Sequence, residues 1–417
     1  MIDHEHIKKI ILESKTPLFI YSKLTKEGLI SSAILIQLLK NLNKKFSINF
    51  FQKIDENKIM EINVNHNENI IILDLNKQDL ENISKLKKQV VIIREHNSIQ
   101  VYEIAKSLDN RIKDIAYLNL ITLKNLNNQE LLKEAESQIR IIKGLKILGS
   151  NTRPIHKTVE LSFDPFIIGF SGSEENSINL FKDLEINLKS GTSWTCIQDL
   201  TENQIEKLLN SLSLNTFPDE KLFEEKFILE SENRNSPFKD LHEYSLFLEA
   251  CILFNKPSIA VSKLLIVQSY KNRALDILTR YRQDIIKALS LFYLGKDEEL
   301  IIEKENCVII NFKDKISNLI LKKAIELIQN SKLYPQEKRI IGLCHQNLEE
   351  IKCSISYFDN KPDLNIENLM NALSSDMRIT SSEMCLGLLL PLNQEKRIIE
   401  LILEHLESVR IEQIKEN

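Results

Sequence analysis

The chain has 417 residues, enough for roughly two to three domains of about 150 residues, each with its own hydrophobic core. Hydrophobic residues make up 43% and charged residues 27%, as in ordinary globular proteins. The net charge of −4 excludes a protein that binds polyanions through an overall basic surface. Only 9 glycines occur, so few places exist for a glycine-rich phosphate-binding loop.

The first 100 residues alternate between short apolar runs and segments with helical spacing. The runs lie at 18–21, 70–73 and 90–93, and the clearest helical pattern covers 29–42. This alternation is typical of βαβ units and predicts a parallel sheet. In such a sheet the ligand crevice lies at the carboxyl ends of the strands, so the residues that follow each run are candidates for function.

The rest of the chain predicts two further regions. Residues 101–150 are expected to be mostly helical, and residues 151–300 form an inserted region that is punctuated by proline and glycine and ends in a helical linker. From 301 the α/β alternation returns, with strands expected at 307–312, 340–344, 351–358 and 384–390 and helices at 316–328, 366–373 and 395–413. The predicted domains are therefore 1–150, 151–300 and a smaller mixed-sheet domain at 301–417.

Several common sites are excluded by spacing. The 6 cysteines contain no C-x-x-C pair, which disfavours a zinc site. The segment 144–149 has the glycine spacing of a P-loop, but Ser150 and Asn151 follow where a lysine and a hydroxyl residue are required. No apolar stretch is long enough to span a bilayer, so we expect a cytoplasmic protein without a membrane partner.

The ends of the three predicted strands carry a mixed set of charged and polar residues. They are Lys23, Thr25 and Glu27 after the first strand, Asp74 after the second, and Arg94, Glu95 and His96 after the third. A two-metal hydrolase needs dense negative charge at this edge, because two cations are held close together there. Lys23 and Arg94 place positive charge at the same edge, which argues against two metals.

The segment 22–35 resembles the first motif of the DHH phosphoesterase superfamily, in which a strand, an H-x-D-x-D-G turn and a helix follow one another. Gly28 matches the motif's glycine, and we expect it to allow a turn with positive φ. Lys23, Thr25 and Glu27 stand where the family has its histidine and two aspartates, whereas Asp74 resembles the metal-ligand aspartate of the second motif. Glu95 and His96 lie in the segment that resembles the D-H-H motif. The resemblance thus implies degenerate catalytic positions, no catalytic residue and no resident metal.

Later segments extend this resemblance over nearly the whole chain. Residues 149–154 and 242–247 resemble archaeal RecJ-like proteins of the GINS-associated nuclease group. The C-terminal region resembles the DHHA1 domain, with Thr380, Ser381 and Ser382 in place of its G-G-H motif and Ser356 in place of a strand arginine. The implied fold is α/β, with a parallel-sheet DHH-type domain, a helical linker and a smaller mixed-sheet DHHA1-type domain.

The resemblance also implies a function in DNA replication. RecJ-like proteins of this group are similar to the RecJ-like subunit of the CMG replicative helicase, so we expect an inactive, nucleoid-associated subunit that binds the GINS complex and the MCM helicase. Single-stranded DNA is a further candidate partner. Two alternatives remain open. One is a single-strand-specific 5′–3′ exonuclease that uses manganese or magnesium, and the other is a small-molecule phosphoesterase, which the extra segment 151–235 disfavours.

A basic stretch in the helical linker is the candidate for DNA contact. Arg273, Arg280 and Lys287 are spaced by seven residues and share one helix face. This face is either a DNA-facing stripe or a solvated surface on which Arg280 pairs with Asp284. Apolar residues of the same segment also share a face: Leu278, Tyr281, Ile285 and Leu289.

Overall fold

The computed structural model describes residues 4–64, 69–86, 90–94, 98–122, 129–213, 223–295, 300–305, 307–331, 333–335, 338–356, 378–381, 385–397 and 399–404. The chain divides into two compact units, one of Met1–Lys143 with Glu225–Thr279 and the other of Gly144–Glu224 with Arg280–Asn417. The predicted domain boundaries near 150 and 300 stay predictions.

The helices and strands follow one another in an α/β order. The helices are α1 His4–Glu13, α2 Lys26–Asn41, α3 Glu56–Val64, α4 Lys77–Ile83, α5 Ser98–Leu108, α6 Gln129–Glu134, α7 Ile155–Glu160, α8 Glu174–Asp183, α9 Glu202–Ser213, α10 Leu241–Leu253, α11 Pro257–Leu264, α12 Lys271–Tyr293 and α13 Leu321–Asn330. The strands are β1 Leu18–Lys23, β2 Phe46–Phe51, β3 Ile70–Leu75, β4 Val91–Arg94, β5 Ile139–Leu145, β6 Lys189–Ser190, β7 Ser193–Trp194, β8 Phe223–Leu229, β9 Ile301–Glu303, β10 Cys307–Asn311, β11 Arg339–His345, β12 Glu350–Ser356, β13 Arg378–Ser381 and β14 Cys385–Pro391.

The first unit is built on a four-stranded parallel sheet with strand order β2-β1-β3-β4. Strand β3 is buried along its whole length because it lies between two other strands and is covered on both faces, which explains its continuous apolar sequence. This confirms the predicted parallel sheet. The sequence analysis missed β2, which is an edge strand that stays partly exposed and mixes apolar with polar residues.

The expectation of a mostly helical segment at 101–150 is only partly correct. Helices α5 and α6 and a 3-10 helix at Asn110–Ile121 occupy much of it. Residues 139–145, however, form β5, which pairs with β8 in a two-stranded sheet. The helical expectation was wrong here, because isoleucines and polar residues that are mixed over a short stretch fit a half-exposed strand.

The second unit contains two separate hydrophobic cores. The first joins α7, α8 and α9 and lies entirely within 145–212: Leu145, Ile147, Ile155, Val159, Ile167, Leu180, Phe181, Ile186, Ile197, Leu208 and Leu212. The second lies on a six-stranded mixed sheet with order β13-β14-β12-β11-β10-β9, in which β10 and β11 are parallel and the other neighbours are antiparallel. The mixed sheet predicted for the C-terminal region is thereby confirmed.

Helix α12 has the predicted apolar face, and its four residues Leu278, Tyr281, Ile285 and Leu289 are all at most 1% exposed. The helix expected at 366–373 and the end of the helix expected at 395–413 lie outside the described residues. Within the described ranges, no helix has both the length and the apolar character that crossing a bilayer requires.

Candidate functional site

The turn from β1 into α2 is held by a close approach of backbone segments around Gly28. The hydroxyls of Ser22 and Ser32 both donate to the Gly28 carbonyl oxygen, over 3.0 and 2.6 Å. A Cβ on Gly28 would lie 2.1 Å from the carbonyl oxygen of Lys23. Gly28 does not have a positive φ, contrary to our expectation. The position requires glycine because it leaves no space for a side chain.

Thr25 and Asp74 meet at the carboxyl ends of β1 and β3. Thr25 is the N-cap of α2, where its hydroxyl oxygen accepts from the Gly28 amide over 2.9 Å. The same hydroxyl donates to Oδ2 of Asp74. Asp74 is 5% exposed and has a φ of 63°, a left-handed conformation that aspartate tolerates better than most residues. Two of the predicted motif positions, Asp74 and Thr25, are therefore bound to each other.

Lys23 forms an ion pair with Asp79, a residue that the sequence analysis did not select. Its Nζ lies 2.6 Å from Oδ2 of Asp79, and the two side chains are 16% and 6% exposed. Asp79 also forms a capping box with Asn76 at the start of α4, and the Asn76 amide donates to the same Oδ2 over 3.4 Å. The sequence signal for Asp79 is the Asn-x-x-Asp spacing directly after β3.

Glu27 is bound to the start of a helix. Its Oε2 accepts from the amide of Ser98, the first residue of α5, over 3.1 Å. A carboxylate in this place is stabilised by the unpaired amides and positive dipole end of the helix. Arg94 ends β4 and is exposed, and Glu95 and His96 lie outside the described residues. Among the predicted positions, Thr25 thus contacts Asp74, whereas Glu27 binds the start of α5.

The described residues of this crevice do not fit a two-metal centre. Among them, no group of three or more histidine, cysteine, aspartate or glutamate residues could hold a metal ion. A divalent cation about 4 Å from an ammonium group would be repelled by roughly 8 kcal/mol at an effective dielectric of about 20. The Lys23 ammonium therefore disfavours a bound cation beside Asp79, whose charge it already balances.

The other predicted positions lie outside this crevice. Thr380 and Ser381 belong to β13, which pairs with β14, and Ser382 is outside the described residues. Arg273, Arg280 and Lys287 are all exposed on α12. Arg280 lies 3.7 Å from Asp284, as the solvated-surface alternative expects. Contact of these residues with DNA stays a prediction.

Comparison with known proteins identifies the fold. Residues 147–218 match the DHH-CID domain, a segment that nearly coincides with the first core of the second unit. No curated protein sequence matches the chain significantly. The crystal structure of CDC45 from Entamoeba histolytica is similar with a TM-score of 0.65 and 8% identity, over 97% of this chain and 98% of that one.

Two structures of RecJ are similar as well. The exonuclease RecJ bound to manganese has a TM-score of 0.57 and 9% identity, over 97% of this chain and 94% of that one. RecJ in complex with Mn²⁺ from Thermus thermophilus has a TM-score of 0.53 and 9% identity, and the similarity covers 97% of this chain but 55% of that one. At identities this low, the similarity shows a shared fold alone.

Proposed function

Because the chain has the fold of RecJ-like proteins of the DHH superfamily, we propose that it is a catalytically inactive scaffold subunit of a CMG-like replicative helicase assembly in an archaeon. It binds the GINS complex and supports the MCM helicase in DNA replication, in the cytoplasm at the nucleoid. The observation that carries the proposal is the Lys23–Asp79 ion pair at the carboxyl edge of the parallel sheet.

The carboxylates of Glu27, Asp74 and Asp79 at this edge of the sheet are bound by groups of the chain itself. Asp79 is bound by Lys23, Asp74 accepts from Thr25, and Glu27 accepts from a helix amide. A metal-dependent phosphodiesterase needs carboxylates that are oriented towards cations and that carry uncompensated charge. Here the same polar groups stabilise the strand-to-helix turns instead. This arrangement supports a protein that uses the fold to bind partner subunits and does not hydrolyse phosphodiesters.

The shared fold alone does not decide between activity and assembly, because the similar structures include a manganese-bound exonuclease as well as CDC45. The alternative is therefore a metal-dependent 5′–3′ exonuclease on single-stranded DNA, with manganese or magnesium as cofactor. The observation that favours it is the retention of Asp74, buried at the end of β3. It predicts manganese-dependent degradation that is lost in Asp74→Asn.

Reconstitution with the GINS and MCM proteins of the source organism tests the scaffold proposal. We expect the purified chain to elute with GINS as a stoichiometric complex in size-exclusion chromatography with light scattering, and to increase unwinding of forked DNA by MCM in the presence of GINS. Separate elution from GINS, together with unchanged unwinding, would contradict the proposal.

A further inference from the structure

The turn that follows α11 has an unusual residue at its tip. The amide of Ile266 donates to the carbonyl of Lys263 over 3.0 Å, and the amide of Val267 donates to that of Ser262 over 2.9 Å. These two bonds define a Schellman motif, whose residue after the C-cap adopts a left-handed conformation and is usually glycine. Ile266 occupies that position with a φ of 57°.

Three other helices of the described chain end with the same pair of bonds, which allows an internal comparison. The residues in the corresponding position are Asn43 after α2, Glu185 after α8 and Asn255 after α10, with φ values of 53°, 57° and 54°. Asparagine tolerates this conformation, and glutamate is at least unbranched at Cβ. A β-branched side chain is the least suited to it, so Ile266 strains the turn more than its counterparts do.

Burial offsets this strain only in part. Ile266 is 50% exposed, and its neighbours Leu265 and Val267 are only partly buried. An asparagine at this position would relax the backbone and would expose less apolar surface. Packing within the fold therefore gives only part of the reason for an isoleucine here, and contact of its exposed half with a partner would supply the rest.

Positive charge lies next to this apolar tip. Helix α12 begins five residues later with Lys271 and Arg273 and has no acidic residue in its first turn. The positive end of the helix dipole adds to the potential there. The nearby carboxylate of Glu232 is already paired with Lys263. The guanidinium of Arg273 lies 5.6 Å from the ring of Tyr270 and is exposed.

We propose that residues 265–273, the Ile266 turn, form a docking surface for an acidic segment of a partner protein that supplies an apolar pocket for Ile266. The exposed aliphatic side chain favours a protein over nucleic acid, whose phosphates would contact only the basic half of the surface. The proposal rests on the proposed function in one respect, because it takes the GINS complex as that partner.

Two substitutions to asparagine separate docking from folding. Ile266→Asn keeps the left-handed turn and removes the apolar tip. The matched control Val64→Asn removes another exposed β-branched side chain, 69% exposed at the end of α3, in the same unit. Affinity for purified GINS is measured by biolayer interferometry, binding of a single-stranded oligonucleotide by fluorescence anisotropy, and Tm by calorimetry.

We expect Ile266→Asn to raise the Tm by about 2 °C and to weaken GINS binding at least tenfold, while Val64→Asn binds like the wild type. Arg273→Glu weakens GINS binding as well, most strongly at low salt. Wild-type affinity of Ile266→Asn for GINS would overturn the docking surface alone. Loss of oligonucleotide binding with GINS binding intact would assign the turn to nucleic acid and overturn it too. Absence of GINS binding by the wild type would overturn the proposed function together with this inference.

Discussion

Replacing Lys23 with methionine tests whether the internal ammonium supports the crevice. Methionine keeps most of the aliphatic stem and leaves the Asp79 carboxylate, 6% exposed, without its cation. Two unit charges about 4 Å apart attract by about 4 kcal/mol at an effective dielectric of about 20, and removal of one partner of a buried pair destabilises by about 3 to 5 kcal/mol. Since the Lys23 side chain retains 16% exposure, we expect a loss near the lower end, about 3 kcal/mol.

The matched control is Lys26→Met. Lys26 pairs with Glu249 over 3.3 Å, but the two side chains are 32% and 28% exposed, so the expected loss is at most about 1 kcal/mol. The free energy of unfolding is measured by urea denaturation with far-UV circular dichroism. Adding Asp79→Asn to Lys23→Met removes the uncompensated charge and keeps an oxygen for the Asn76 amide, so about half of the loss should return. Equal losses in the Lys23 and Lys26 variants would show that the Lys23–Asp79 pair contributes no more than an exposed ion pair.

Further predictions concern the turn, a buried histidine and the basic helix face. Gly28→Ala should lower the free energy of unfolding by more than about 2 kcal/mol in urea denaturation, because its Cβ would lie 2.1 Å from a backbone oxygen. The control Gly169→Ala has open space around its Cβ and a φ of 85°, so it should lower the free energy of unfolding by only about 1 kcal/mol. The reverse order would contradict the close approach. Burial lowers the pKa of His156, and the nearby Lys157 lowers it further. Below about pH 6.5 the unfolded chain therefore binds a proton that the folded chain does not, so the free energy of unfolding falls as the pH drops. His156→Gln should therefore lose less Tm than the wild type between about pH 7.5 and 5.5, and an equal loss in both would count against this. Arg280→Ala and Lys287→Ala should each change the free energy of unfolding by less than about 0.5 kcal/mol. Each should also reduce, by about 0.7, the slope of the logarithm of the single-stranded DNA binding constant against the logarithm of the salt concentration. An unchanged slope would show that this helix face does not contact DNA.

The sequence predicted the central strands of the parallel sheet because buried strands of this kind are continuous apolar runs. Strand β2 at Phe46–Phe51 has no such run, since an edge strand with one solvated side mixes apolar and polar residues. Residues 139–145 were misassigned for a related reason, because a two-stranded, half-exposed sheet does not require a regular pattern. Continuous apolar runs therefore identify strands that are buried on both faces more readily than strands at an edge.

Within the candidate site, the sequence identified the strand ends but not the pairing between side chains. Lys23 and Asp79 are 56 residues apart, and their contact follows from the positions of β1 and α4 at one edge of the sheet. Gly28 was correctly singled out, but for the wrong physical reason. Glycine is needed because the Lys23 carbonyl oxygen lies very close to this position. That contact depends on how the turn packs, which no local sequence pattern predicts.

A nuclease assay shows whether the protein is catalytically inactive. Purified protein is incubated with 5′-labelled single-stranded DNA in the presence of manganese or magnesium, with Asp74→Asn as the matched variant and a RecJ exonuclease as the positive control. We expect no products from the wild type or the variant with either metal, while the positive control degrades the substrate. Manganese-dependent products from the wild type that disappear in Asp74→Asn would contradict this expectation.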